Sequence, residues 1–285
     1  MEKLLELLQA LLVLILMIFG KGDAEAVTPA PIPEGSFLQI HYIDVGQADA
    51  ALILCDGEAM LIDGGNKADS SLLYTYLKNH DIDHLNYVIG THAHEDHIGG
   101  LAGALHYAAA DTVLSPVTDY DSEAFRDFRK TVEGQGLSIT VPKVGDTFTL
   151  GAAAITILHC DPTNVNPNNT GIVLRVDYGE TSFLFTGDAE RETEEIILDS
   201  GLDVRSTVLK VGHHGSDTST SYRFLYEVQP KYAVISVGAD NSYGHPHDAV
   251  TSRLRDADVT VYRTDEMGGI ICTSNGKTVT FETEK

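Results

Sequence analysis

Several features that would assign a class quickly are scarce in this chain. Only three of its 285 residues are cysteines, Cys55, Cys160 and Cys272. They lie far apart, show no CxxC spacing and are odd in number. That excludes a zinc ribbon and a fully paired disulfide framework. Cys160, although next to His159, reads as a small buried residue. Basic residues are also few: 19 Lys and Arg against 42 Asp and Glu give a formal net charge of −23. The thickest basic cluster, Arg253, Arg255 and Arg263, supplies no electrostatic footprint for tight nucleic-acid binding. Arg253 and Arg255 read as the solvated face of a helix. An anionic group held locally by cations remains compatible with this balance. Beyond Phe19 no apolar run is long enough to span a bilayer, and no repeat of about 20–50 residues is present.

The N-terminus is the exception. Leucine-rich Met1–Ala10 leads into the apolar run Leu11–Phe19, and the small-x-small triplet Ala24-Glu25-Ala26 follows. Pro29, Pro31 and Pro33 come next. This order predicts a signal peptide over 1–26 and an extended proline-rich linker over 27–36. Glu2 and Glu6 cancel the positive charge expected ahead of the apolar run, so an uncleaved membrane anchor is the alternative. Either reading places the rest of the chain outside the cytoplasm, secreted or tethered by its N-terminus.

From residue 37 to 285 the pattern is that of one α/β domain. Short apolar runs bounded by turn residues predict strands. Examples are Phe37–Val45, the hairpin Ala50–Cys55 and Ala59–Ile62 around Asp56-Gly57, Leu85–Gly90, Gly171–Tyr178, Ser182–Thr186, Thr207–Val211 and Tyr232–Val237. Helical spacing recurs over Ser70–Asn79, Ile98–Ala110, Ser122–Glu133, Glu190–Leu198 and Ala249–Asp256. Two β-rich halves, each with helices, predict two sheets packed face to face with helices outside.

The densest chemistry is Thr91-His92-Ala93-His94-Glu95-Asp96-His97-Ile98-Gly99-Gly100, directly after an apolar run. Imidazole nitrogen and carboxylate oxygen are the donors of a hydrolytic divalent-metal site. In a strand-to-loop turn His92 and His94 point the same way, and Asp96 and His97 then come round to serve a second metal. Asp63, at the end of Leu61-Ile62-Asp63-Gly64-Gly65, is placed to orient a ligand histidine. Asp188, ending Phe185-Thr186-Gly187-Asp188, is a candidate bridge between two cations, and a helix N-cap before Glu190 is its structural alternative. Of the pair His213-His214 in Lys210–Ser216, one completes the second metal's shell and the other faces substrate. His213 is the favoured ligand and His214 the favoured catalytic group. His245, in Tyr243–His247, is a candidate general acid or oxyanion binder. His41, His80, His84 and His106 read as core or surface residues.

In this order the motifs resemble the metallo-β-lactamase superfamily. They come closest to the hydrolase domain of ComEC-type competence DNA-uptake proteins. The likeness is carried by Asp44–Ala50, Asp63–Gly65, Thr91–Gly100, Thr186–Asp188, Lys210–Ser216, Tyr243–His247 and Tyr262–Glu266 with Gly268. It implies an αββα sandwich and a site of two divalent cations held by His92, His94, Asp96, His97, Asp188 and His213. It also implies a metal-bridged hydroxide, associated with Asp96, that attacks a phosphodiester, with nuclease activity as the family proposal. One ligand histidine of the superfamily has no counterpart, because Asn168-Asn169-Thr170 stands in its place. His159 or Asn169 would have to support the first metal instead. A nitrogen-poor ligand set leaves manganese open beside zinc. The implied substrate is a phosphodiester, either single-stranded DNA or a small diester. A phosphocholine-type esterase, an acyl or lactam hydrolase and a non-catalytic DNA- or partner-binding module are the alternatives. No protein partner is deducible.

Overall fold

A computed structural model describes residues 32–285. The signal or anchor segment 1–26 and residues 27–31 of the linker predicted over 27–36 lie outside the described residues. Among the described residues no helix is long and apolar enough to cross a membrane.

Among the described residues fifteen strands form two sheets. The first contains β1 (Leu38–Tyr42), β2 (Ala51–Cys55), β3 (Glu58–Ile62), β4 (His84–Ile89), β5 (Ala109–Leu114), β6 (Ile139–Thr140), β14 (Ile270–Ser274) and β15 (Val279–Thr283). Its order is β15-β14-β1-β2-β3-β4-β5-β6. The second contains β7 (Thr147–Leu150), β8 (Ala153–His159), β9 (Val173–Tyr178), β10 (Thr181–Phe185), β11 (Val208–Lys210), β12 (Tyr232–Ile235) and β13 (Thr260–Arg263), in the order β13-β12-β11-β10-β9-β8-β7.

Period-two patterning builds the layers. Alternate residues Leu38, Ile40 and Tyr42 of β1, and Leu174, Val176 and Tyr178 of β9, enter the core between the sheets. The opposite face of the first sheet, including Leu52, Leu61 and Val88, packs on Leu73 and Leu77 of the helix Ser70–Asn79 and on Phe125 and Phe128 of the helix Glu123–Gly134. Leu184 and Leu209 on the outer face of the second sheet meet Ile197, Phe224 and Leu254 from three further helices. The result is the expected αββα sandwich, a single domain.

Three differences from the sequence reading have physical reasons. The helix expected over Ile98–Ala110 is broken. Glu95–Ile98 ends at Gly99, a new helix runs Leu101–Tyr107, and Ala109 opens β5. A Cβ on Gly100 would sit 2.0 Å from the Gly64 carbonyl, so the loop after β3 passes where side chains would stand. Strands β6 and β7 were not anticipated, since two and four residues give too little alternation to read. Arg253 is buried rather than solvated, and it donates to the carbonyls of Ser219 and Thr220 at 2.9 and 3.0 Å.

The helix Leu101–Tyr107 crosses the helix Ser70–Asn79 with backbones almost in contact, because a Cβ on Gly103 would lie 2.1 Å from the Ser70 carbonyl oxygen. Gly103→Ala is therefore expected to destabilise the chain by about 1–3 kcal/mol through overpacking, although alanine is the better helix former. A lowered urea midpoint with an unchanged slope would show it; an unchanged or raised midpoint would refute the close crossing.

Candidate metal centre

Parallel pairing decides where the functional side chains collect. In the first sheet β3, β4, β5 and β6 run parallel, and in the second β10, β11, β12 and β13 do. Segments leaving the carboxyl ends of parallel strands open into a shared crevice. Asp63 follows β3, Thr91 to His97 follow β4, Asp188 follows β10, His213 and His214 follow β11, and Ser236 and His245 follow β12.

Asp188 lies at the middle. It is 2% exposed, and four imidazoles approach it. His97 Nε2 is 3.2 Å from Oδ1 and His214 Nε2 is 3.8 Å from Oδ1, while His213 Nε2 and His92 Nε2 are 3.5 and 3.7 Å from Oδ2. Two donor clusters share this carboxylate. One consists of Asp96, His97, Asp188 and His214, the other of His92, His94 and Asp188, and the donor atoms of each lie within 4.8 Å of one another. His97 Nε2 and Asp188 Oδ1 are buried and make no hydrogen bond. Buried polar atoms are rarely left so, and a cation between these two would satisfy both. The donor set, imidazole nitrogens with carboxylate oxygens, suits a divalent cation of the zinc or manganese kind. Asp188 is not a helix N-cap, since the helix Arg191–Asp199 has Glu190 in that position.

Surrounding groups fix the orientation of the donors. Asp63 accepts from the Thr91 amide and hydroxyl, each at 2.7 Å, and from His97 Nδ1 at 2.8 Å. That bond puts the His97 proton on Nδ1 and turns Nε2 toward Asp188. His214 is held in the same manner. Its Nδ1 donates to the Ser236 carbonyl at 3.0 Å, with Asp49 Oδ1 3.2 Å away, and its Nε2 lies 3.3 Å from Asp96 Oδ2. Asp49 in turn accepts from the buried Lys210 ammonium at 2.8 Å.

The structure places the two members of the histidine pair differently. His214, not His213, stands with Asp96, His97 and Asp188. His213 and His214 both have left-handed backbone, φ 51° and 52°, which sends the two rings to different sides of Asp188. His213 reaches the oxygen that faces His92, and it is partly exposed. Neither His159 nor Asn169 belongs to a donor cluster at Asp188. His159 Nδ1 is bonded to the Gly171 carbonyl at 2.8 Å. Asn169 Oδ1 accepts from the Glu190 amide at 3.1 Å and the Thr193 hydroxyl at 3.0 Å, so it ties down the start of the helix Arg191–Asp199.

His245 is at the rim. Gly238 N–H donates to Gln47 Oε1 at 3.1 Å, which directs the Gln47 amide nitrogen to His245 Nδ1 at 3.3 Å. Nδ1 therefore accepts, and the proton sits on Nε2. Burial, with His247 and His213 nearby, lowers its pKa to about 4. At neutral pH it is an uncharged imidazole with an N–H on Nε2, and not a charged proton source.

Asp49 and Lys210 were missed as site residues, although both fall within the motifs Asp44–Ala50 and Lys210–Ser216. A charged residue at the buried end of an apolar strand was the available signal, since such a group is rarely fully buried unless paired.

The profile of the metallo-β-lactamase superfamily matches residues 43–239. The chain belongs to that superfamily. It is similar to ComE operon protein 3 of Bacillus subtilis, 30% identical over 251 residues that make up 81% of this chain and 32% of the relative. It is also similar to competence protein ComA of Neisseria gonorrhoeae, 43% identical over 108 residues, 38% of this chain and 16% of the relative. The chain therefore spans a third or less of the length of these relatives. Among solved structures the fold matches the metallo-β-lactamase fold protein YhfI of Bacillus subtilis with a TM-score of 0.55 at 14% identity, over 87% of this chain and 100% of YhfI. The resemblance read from the motifs is thus the family of this metallo-β-lactamase-fold chain.

Charge balance at the centre has a consequence for pH. Burial alone would lower His214, but Asp49, Asp188 and Asp96 outweigh it and raise its pKa to about 10. Burial also works against His97, whose pKa is nevertheless raised by Asp188, Asp63 and Asp96. A raised imidazole stabilises the fold fully below its unfolded value near 6.5 and loses that contribution as pH climbs through the folded value. Cysteines raised to about 11 and 12 add an alkaline loss only above their ordinary value of 9.0. Thermal unfolding of the chelated chain is therefore expected to shift to lower temperature between about pH 6.5 and 9. The manganese-loaded chain, whose ligands must be deprotonated already, should change little over that range. A chelated midpoint that is flat or rises with pH would contradict the imidazolium–carboxylate balance.

Proposed function

We propose that this chain is a metal-dependent phosphodiesterase acting from an extracytoplasmic, N-terminally exported domain. The observation that carries the hydrolase reading is the pair of donor clusters joined through the buried Asp188 carboxylate. In this reading His92 and His94 hold one divalent cation, Asp96, His97 and His214 hold the other, and Asp188 serves both. When bound, such a pair of cations activates water near neutral pH and neutralises charge that builds on phosphoryl oxygens.

The protein's own groups have separate tasks. Asp63 and the Asp49–Lys210 pair keep His97 and His214 in one tautomer and one orientation. His245, neutral with its proton on Nε2, donates a hydrogen bond to a phosphoryl oxygen. His213 lies by the Asp188 oxygen that faces His92 and is free to supplement the first cluster, which has three donors against four in the second. The two clusters are unequal: Asn169 is committed to a helix start, so the first keeps two imidazoles and the shared carboxylate. The second, with two carboxylates beside its two imidazoles, supports manganese as well as zinc, because oxygen-rich sites favour the harder ion. Likeness to competence proteins makes single-stranded DNA one substrate to test. The net charge of −23 favours a small diester, since a polyanion would receive no help from the protein surface.

The test is hydrolysis of bis-p-nitrophenyl phosphate and of single-stranded DNA by the chelated chain after readdition of zinc or manganese. Asp96→Ala is expected to lower the metal-restored rate at least ~10³-fold, about 4 kcal/mol in barrier height. Cleavage of DNA that falls steeply with added salt would mark nucleic acid as the substrate; cleavage of the small ester alone would mark a small diester. Undiminished turnover by metal-free Asp96→Ala protein would end the metal-hydrolase reading.

A further inference from the structure

The segment Asp240–His247 is an irregular loop wrapped around one side chain. Asn241 Oδ1 accepts from the amides of Tyr243 and His245 at 3.1 and 3.0 Å, and its Nδ2 donates to the carbonyls of Gly238 and His245 at 3.0 and 2.6 Å. Both amide hydrogens and both lone pairs are thus used inside the loop. Three contacts then fix the loop to the metal centre. Gln47 holds His245, the His247 amide donates to the Gly215 carbonyl at 2.9 Å, and Pro246 packs on Gly215 where a Cβ would come within 2.6 Å. The loop is therefore rigid relative to the centre.

That rigid loop presents a large aromatic ring to water. Tyr243 is 68% exposed. Its ring stacks on His245, with centroids 5.6 Å apart and planes 26° apart. His245 lies 5.8 Å from His213, whose Nε2 is 3.5 Å from Asp188. A row of three rings leads from the shared carboxylate to the surface.

A fixed, exposed ring next to a catalytic centre has already lost the conformational freedom that binding would otherwise cost. Its π-face attracts a flat partner without needing charge, and base–aromatic stacking works in that way with any base. This matters for a chain of formal net charge −23, whose overall field gives a phosphate backbone no general attraction. Stacking is then the interaction left to hold a substrate that extends past the centre.

We propose that the Tyr243–His245 stack is a subsite for the nucleobase adjoining the phosphodiester at the Asp188 centre. The proposal rests on the phosphodiesterase reading and narrows its substrate to phosphodiesters that carry a base next to the cleaved bond. His213, between the stack and Asp188, spaces the base from the phosphate.

The test compares wild type, Tyr243→Ala and Tyr243→Phe, each as manganese-loaded full chain. The substrates are single-stranded oligothymidylate and the same strand with abasic residues throughout. Tyr243→Ala is expected to lower kcat/KM on oligothymidylate about 5- to 150-fold, the range of one base stack. Tyr243→Phe should keep most of the activity, and the abasic strand should be cleaved equally by all three proteins. A second readout does not need turnover: fluorescence of a 2-aminopurine dinucleotide with a non-hydrolysable phosphonate linkage. Wild type and Tyr243→Phe should quench it, and Tyr243→Ala should not.

Equal losses on base-bearing and abasic strands, or none on either, would overturn the subsite while leaving the phosphodiesterase reading intact. So would Tyr243-dependent hydrolysis of a phosphocholine ester with no such dependence on DNA. Tyr243-dependent quenching without hydrolysis of any diester would keep the subsite and remove the hydrolase reading. Neither hydrolysis nor quenching would remove both.

Discussion

Everything at this centre depends on keeping one carboxylate ionised out of reach of water. Burial disfavours the charge on Asp188, yet its pKa is held well below the ordinary carboxylate range by His97, His214 and His92. Those imidazoles are in turn carried by carboxylates behind them, Asp63 for His97 and Asp49 for His214. Asp49 can remain ionised because the Lys210 ammonium lies against it. Charge therefore alternates outward from Asp188, and removal of any one member leaves a buried neighbour uncompensated, which is the expensive case. A bound cation would take the place of protons shared in this array.

The fold exists to bring those layers together. Asp63 and the histidine loop hang from the parallel strands of one sheet, while Asp188, the histidine pair and Ser236 hang from the parallel strands of the other. Neither sheet alone assembles either of the two clusters that share Asp188. Glycines permit the final approach: Gly64, Gly99 and Gly100 let the loop after β3 lie directly against the turn carrying Asp96 and His97. The break between the helices Glu95–Ile98 and Leu101–Tyr107, invisible to helical periodicity, follows from that contact.

How much of this could be read in the sequence varied with the kind of signal. The histidine loop was legible because imidazoles at such density have no structural use. The sandwich was legible because β and helical periods alternate cleanly through both halves. The partner of Asp96 was not, because choosing between His213 and His214 depends on two left-handed residues, and nothing in a His-His dipeptide announces positive φ. Asn169 drew attention as a replaced ligand, but its side chain serves a helix start twenty residues downstream, a contact only the tertiary fold creates. Asp49 and Lys210 are neither metal-ligand pairs in spacing nor near each other in the chain, so their pairing across the two sheets left no local trace.

The two clusters differ in how firmly they are built, and this bears on chemistry more than their ligand count does. His97 and His214 are each locked by a second hydrogen bond and are fully enclosed. His94 is only partly buried, lies 3.0 Å from His92 and has no carboxylate or carbonyl bonded behind it. His213 stands close by with its other nitrogen 3.2 Å from the Thr218 hydroxyl. A cation on the locked side would be positioned by the protein, whereas one on the looser side could adjust as a substrate enters, exchanging ligands without strain in the fold. Unequal rigidity of this kind keeps one ion as a fixed point of charge and leaves the other side open to the incoming group, an arrangement that requires the shared carboxylate to be the stiffest element of all. Asp188 meets that requirement, buried at the end of a central strand with imidazoles on both of its oxygens.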